Sequence, residues 1–168
     1  MKALLFILSL TAGAAFAEPA CVSHIPCGTY EGTGAWYDLK GRKEKKSDFL
    51  EKTVISPLDE SSVTVEEYVY KAGQKIEDGY VLKVKFTFEA DGRYTSTLQD
   101  NGQAFANGAC VLNVCTFGFM PWKTPKGAVT GNVNILRFEN GKLRRMLMVS
   151  QGMTDETALI QKSELVLK

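Results

Sequence analysis

Cys27-Gly28-Thr29-Tyr30-Glu31-Gly32-Thr33-Gly34-Ala35-Trp36-Tyr37-Asp38 is the stretch on which the reading of the whole chain turns. Tyr30, Gly32, Gly34 and Trp36 alternate with Glu31, Thr33, Ala35 and Tyr37, the period of a strand whose two faces differ. Two successive glycines on one face would weaken an ordinary strand. They mark a bend or the close approach of another backbone, as where a first strand curls across the end of a barrel. Trp36, on the same face, is then expected to cap the interior.

Working outward, the chain reads as strands separated by turn signals. Expected strands are Phe49–Ser56, Ser62–Lys71, Tyr80–Glu89, Arg93–Gln99, one long strand from about Gln103 to Phe119, Gly131–Glu139, Lys142–Ser150 and Thr157–Leu167. The clearest is Tyr80–Glu89, where Leu82, Val84, Phe86 and Phe88 alternate with Lys83, Lys85, Thr87 and Glu89, so one face is dry and the other wet. Asp91-Gly92, Asp100-Asn101-Gly102 and Asn140-Gly141 supply turns whose central residues tolerate positive φ. No stretch keeps a helical period for more than a turn or two. The pattern predicts an all-β, antiparallel, up-and-down meander of eight or nine strands, closed into a barrel to remove its edges. A two-sheet sandwich is the alternative, but its crossovers need longer connections.

Met1-Lys2, the apolar run Ala3–Ala15 and the Ala15-Phe16-Ala17 cleavage pattern read as a secretory signal peptide over residues 1–17, leaving 18–168 as one barrel domain. No stretch is long enough for a transmembrane helix. The lipoprotein alternative needs Cys21 directly after the apolar run, and Glu18-Pro19-Ala20 intervenes. Of the 20 basic residues Lys2 is lost with the leader, so the mature chain balances its 19 acidic residues and no global field recruits nucleic acid. Export to the periplasm or beyond makes the four cysteines, Cys21, Cys27, Cys110 and Cys115, two disulfides. If Cys110 and Cys115 share one extended strand they stand roughly 16 Å apart, too far to bond. Long-range bridges from that pair to Cys21 and Cys27 are therefore favoured over a tight reversal at Val111–Val114.

Gly34-Ala35-Trp36 resembles the Gly-x-Trp signature of lipocalins. Gly28–Gly34 resembles the Gly-Thr-Trp-x-Gly-x-Gly opening of nitrobindin-like and related small calycin barrels, with Tyr30 where they carry Trp. The resemblance implies a barrel with a central apolar cavity for a small hydrophobic ligand, and a late basic side chain, Arg144 or Arg145, stacked over Trp36. It would also imply haem held by a late histidine. The single histidine here is His24, ahead of the first long strand, so that ligation needs Tyr94, Met146 or Met148 instead, and no cofactor is expected.

No catalytic motif is present: His-Glu-x-x-His, Gly-x-Ser-x-Gly, the EF-hand spacing and the phosphate loop are all missing, and neither catalytic nor metal-binding residues are assigned. Glu66 and Glu67 point to opposite faces of a strand and cannot share a proton. Glu67 has the parity of Val63, Val65 and Val69. If that face is interior it is a buried acid needing a partner such as Arg145; otherwise it reaches solvent at a strand end.

These readings favour a non-catalytic, exported carrier of a small hydrophobic or amphipathic molecule, its cavity lined by Trp36, Leu82, Val84, Phe86, Phe88 and Tyr94. The lysine-bearing connections Lys40–Lys46 and Lys71–Gly79 fall at one end, as a mouth for an anionic head group or simply as solvated loops. Met120–Gly127, with Trp122 between two prolines, is expected at the opposite end, as a protein-docking loop or an inward plug. Each end is expected to mix long and short connections, unlike a membrane-spanning barrel. A protein-binding module acting through its loops, such as an inhibitor of an extracytoplasmic hydrolase, is the alternative. A cavity isomerase or cyclase would need several polar groups converging inside.

Overall fold

A computed structural model describes residues 20–22, 25–119, 122–124, 127–151 and 159–168. The expected signal peptide, His24 and the side chain of Trp122 lie outside what it describes. Strands β1 (Ala20–Val22) and β2 (Ile25–Pro26) form a small ribbon. The main sheet holds β3 (Gly28–Asp38), β4 (Phe49–Pro57), β5 (Ser62–Tyr70), β6 (Tyr80–Phe88), β7 (Arg93–Leu98), β8 (Ala104–Val111) and β9 (Val114–Phe119). It continues with β10 (Trp122–Thr124), β11 (Gly127–Glu139), β12 (Lys142–Gln151) and β13 (Leu159–Leu167).

Strands β3 to β9 pair in chain order, β11 to β13 follow, β13 pairs with β3, and β11 also pairs with β9. The result is a closed, antiparallel, ten-stranded barrel, with β10 as a flap on the first residues of β11. The glycines of the opening stretch explain how the seam closes. A Cβ on Gly32 would strike the backbone carbonyl of Glu164 on β13, and one on Gly34 would strike the ring of Phe49 on β4. Asn140 and Gly141, at φ 52° and 70°, make the β11–β12 turn as their residue types predict.

The strand count corrects the expected eight or nine. The segment 103–119 is two strands, reversed at Leu112-Asn113, with Cys110 opposite Cys115 in the register. Leu112 takes φ 55°, which costs a branched residue free energy that glycine would not lose. Two restraints hold it there. Asn113 donates from Nδ2 to the Phe138 carbonyl (2.7 Å) and accepts the Phe138 N–H (2.9 Å), and the Cys110–Cys115 disulfide spans the hairpin. The second disulfide joins Cys21 to Cys27. Both bridges are therefore local, with Cα separations of 4.0 and 4.9 Å, and the long-range pairing favoured above is corrected.

The extra reversal shifts every later connection to the other rim. Among the described residues, one end carries the tight turns 58–61, 89–92, 112–113 and 140–141; the other carries 39–48, 71–79, 99–103 and strand β10. The Trp122 segment thus lies at the same end as the two lysine-bearing loops, not opposite them, and long and short connections are segregated rather than mixed. The outward faces are nevertheless charged along mid-strand: Lys83 with Glu66 (3.1 Å), and Arg144 and Lys142 with Glu164 (2.9 and 3.1 Å). Among the described residues no helix is long and apolar enough to cross a membrane.

At the tight-turn end the β1–β2 ribbon folds beneath the barrel, burying Val22 and Ile25 in the same apolar cluster as Tyr30, Ile55, Phe88, Tyr94, Phe138 and Leu143. The rings of Phe86, Tyr94 and Phe117 meet edge to face with centroids 5.1 to 6.1 Å apart.

Candidate functional site

Above the aromatic layer the interior changes character. Glu51, Thr53, Glu67, Asn134, Arg145, Gln161 and Ser163 all point inward from β4, β5, β11, β12 and β13 and are buried. Each lies on the inward parity of its strand, Glu51 with Phe49, Thr53 and Ile55, Gln161 and Ser163 with Leu165, so burial follows from register. Arg145 is the hub. Its Nη1 donates to Glu51 Oε1 (3.0 Å) and to Glu67 Oε1, and its Nε to Asn134 Oδ1 (3.4 Å). Gln161 Nε2 reaches Glu51 Oε2 (3.4 Å), as Thr53 Oγ1 reaches Glu51 Oε1 (3.4 Å). Asn134 Nδ2 and Ser163 Oγ have no hydrogen-bond partner among the described residues.

Two carboxylates therefore share one guanidinium in a low-dielectric interior. Burial pushes the Glu67 carboxyl above its ordinary value, aided by the neighbouring Glu51 and opposed by Arg145. For Arg145 burial acts downward, but Glu67 and Glu51 outweigh it and hold the guanidinium protonated. Burial likewise raises the Tyr94 hydroxyl, which donates to the Thr116 carbonyl (3.4 Å).

A narrow cavity joins the polar cluster to the aromatic layer. It is bounded by Glu51, Glu67 and Arg145 on one side and by Leu82, Val84, Phe86, Tyr94, Phe117 and Phe138 on the other, with Ile25 of the ribbon among its walls. Its volume is about 30 Å³, room for a water-sized group. Of the lining residues expected from sequence, Leu82, Val84, Phe86 and Tyr94 stand on this wall. Phe88 is buried against Tyr94 (centroids 5.1 Å apart) without reaching the cavity. Trp36 is half-buried opposite Gln161 in the β3–β13 register and does not line the cavity; its backbone is tied to Ser47 and Glu44.

Neither late arginine stacks on Trp36. Arg144 points outward to Glu164 and Arg145 inward to the glutamates, while the cation over a ring is Lys162, 5.2 Å from the Tyr37 centroid. Met146 and Met148 face outward, so neither meets a group held inside the barrel. The inward reading of Glu67, with Arg145 as its partner, matches the geometry, whereas Glu51, Asn134, Gln161 and Ser163 were not singled out. Their signal was present as polar residues on an otherwise apolar parity.

The long connections at the other end are ordered by local bonds. Residues 39–44 fold back as a short hairpin: Asp38 N–H donates to the Arg42 carbonyl (2.9 Å), Arg42 Nε donates to Asp38 Oδ2 (2.6 Å), and Tyr37 bridges to Lys43. Lys40, Lys45 and Lys46 are exposed there and make no ion pair among the described residues. The 71–79 connection is braced by Gln74, whose Oε1 accepts the Lys71 N–H (3.0 Å) and whose Nε2 donates to the Asp78 carbonyl (2.5 Å) at the end of a single 3₁₀ turn, Ile76–Asp78.

No family model matches the chain, and no curated protein matches it. Among solved structures it is similar to a Bacteroides ovatus structural-genomics protein of unknown function, with 16% identity and a TM-score of 0.29, over 84% of this chain and 41% of that one.

Proposed function

We propose that this protein is an exported, non-catalytic binding module that engages a protein partner through the loops gathered at one end of a calycin-like barrel. The observation that carries the reading is the pairing of a nearly filled interior with a one-sided display of loops. A cavity of about 30 Å³ is an order of magnitude below the several hundred Å³ that enclose a small-molecule ligand. The described longer connections, 39–48, 71–79 and 99–103, leave the same rim, and the opposite rim is closed by the β1–β2 ribbon. Lys40, Lys45 and Lys46 give the loop end a basic character that suits an acidic surface, as in an inhibitor seated on an extracytoplasmic hydrolase. The two disulfides support an oxidising, extracytoplasmic setting. Glu51 and Glu67 are both engaged by Arg145, which speaks against their use as an acid and base pair.

Carrier function is the second reading, and the two-ended cavity lining supports it: aromatic and aliphatic walls meet a charged cluster, as an amphipathic guest would require. Solvent extraction and native mass spectrometry of the purified protein separate the two. Absence of any bound apolar compound is the expected result; near-stoichiometric recovery of one overturns the binding-module reading in favour of the carrier. The triple variant K40E/K45E/K46E is expected to fold normally and to lose partner binding.

A further inference from the structure

The outer wall of β11, β12, β13 and β3 carries an apolar face that the interior does not use and that, among the described residues, only the 39–48 hairpin borders. The register aligns Val133, Met148, Ile160 and Tyr37 in one row across the four strands, and Ile135, Met146, Lys162 and Ala35 in the next. Val133, Met146 and Met148 are 41%, 41% and 37% exposed, whereas the other exposed large apolar residues described sit at turns and strand ends. Beside these rows the 39–48 hairpin and the wall enclose an open cleft of about 440 Å³, with Ala35, Tyr37 and Met146 on its floor and Lys43, Arg144 and Lys162 around it. We propose that this wall docks a protein segment carrying apolar side chains flanked by Asp or Glu.

The inference rests on the protein-binding reading and names the face and the partner chemistry. Its apolar part is recessed and rich in methionine, which repacks around irregular shapes. Its rim is basic: Asp48 and Glu164 offset Lys43 and Arg144, while Lys162 lies over the Tyr37 ring and Lys142 adds a further cation on Glu164. The unpaired Lys40, Lys45 and Lys46 stand on the adjoining loop. A second copy of this chain would oppose one basic rim to another. A bilayer would call for protruding aromatic or leucine side chains rather than a cleft.

Photocrosslinking in the cells that make the full chain tests this, with p-benzoylphenylalanine placed at Met148 on the wall, at Lys45 on the loop, or at Thr95 on the far wall as control. The expected result is one discrete adduct from Met148, reduced at least tenfold by K162E, whose sequenced partner peptide has apolar residues beside Asp or Glu. An adduct from Lys45 without one from Met148 overturns the wall inference and leaves the binding module standing. Adducts from neither position overturn both. Sedimentation of the purified protein with vesicles of 3:1 phosphatidylcholine and phosphatidylglycerol, if abolished by K162E, assigns the face to lipid and overturns the proposal. Urea unfolding of each variant verifies that the barrel is intact.

Discussion

At the rim where β3 begins, the connections are two to four residues long, two disulfides lie close by, and a ribbon fills the opening with Val22 and Ile25. At the rim where β3 ends, connections run from five to ten residues, and the interior just inside is polar and built around Arg145. The first region buries apolar area and shortens the unfolded chain's freedom, the ordinary sources of stability. The second spends burial on charges, which rarely repay their desolvation. A barrel held together from one end leaves its other end free to carry longer loops.

The contrast breaks most visibly at its polar hub. Arg145→Met leaves two carboxylates buried without a counter-ion and is expected to cost about 3–5 kcal/mol, read as a fall in the urea midpoint. Glu67→Gln should cost far less, since Glu51 then pairs alone with Arg145. At the closed rim, C110S/C115S is expected to cost about 2 kcal/mol, the value for so short a loop, without altering partner binding.

Acidity sharpens the comparison further. Because the folded protein holds Glu67 above its ordinary value of 4.5, the native state binds the extra proton. That contribution is complete below 4.5 and is lost as pH rises toward the elevated value, by at most about 1.4 kcal/mol per pH unit. Urea titrations across this window should show wild-type stability falling with pH and the Glu67→Gln variant flatter. The smallest effect is expected at the strained turn. Leu112→Gly relieves the positive φ and should gain about 0.5 kcal/mol after the greater freedom of glycine in the unfolded chain is subtracted.

Most of the barrel could be read from residue types. Alternation located β6 to within one residue, Asn140-Gly141 marked its hairpin, and paired glycines on β3 announced the tight seam. Parity put Glu67 on the face of Val63, Val65 and Val69 and need named Arg145 as its partner, but only if that face was interior, which alternation does not decide. The Val111–Val114 reversal could not be read, because Leu112 is a poor turn former, the disulfide across it forms only once the turn is made, and the Asn113 bonds to Phe138 come from a strand distant in sequence. That single omission moved the Trp122 segment to the wrong rim. The small cavity was equally hidden, since inward parity says which side chains meet but not how closely they fill the space between them.

An even number of staves returns the chain to the rim from which it set out: Leu167 lies opposite Tyr30, and the Lys168 amide bonds to the Thr29 carbonyl at 2.9 Å. A fusion or surface attachment made there would hold the molecule like a torch, with its longer loops pointing away from the grip. Joining β13 to β3 and cutting within 99–103 should likewise yield a permuted chain that keeps every pairing between the ten barrel strands, while leaving out the ribbon.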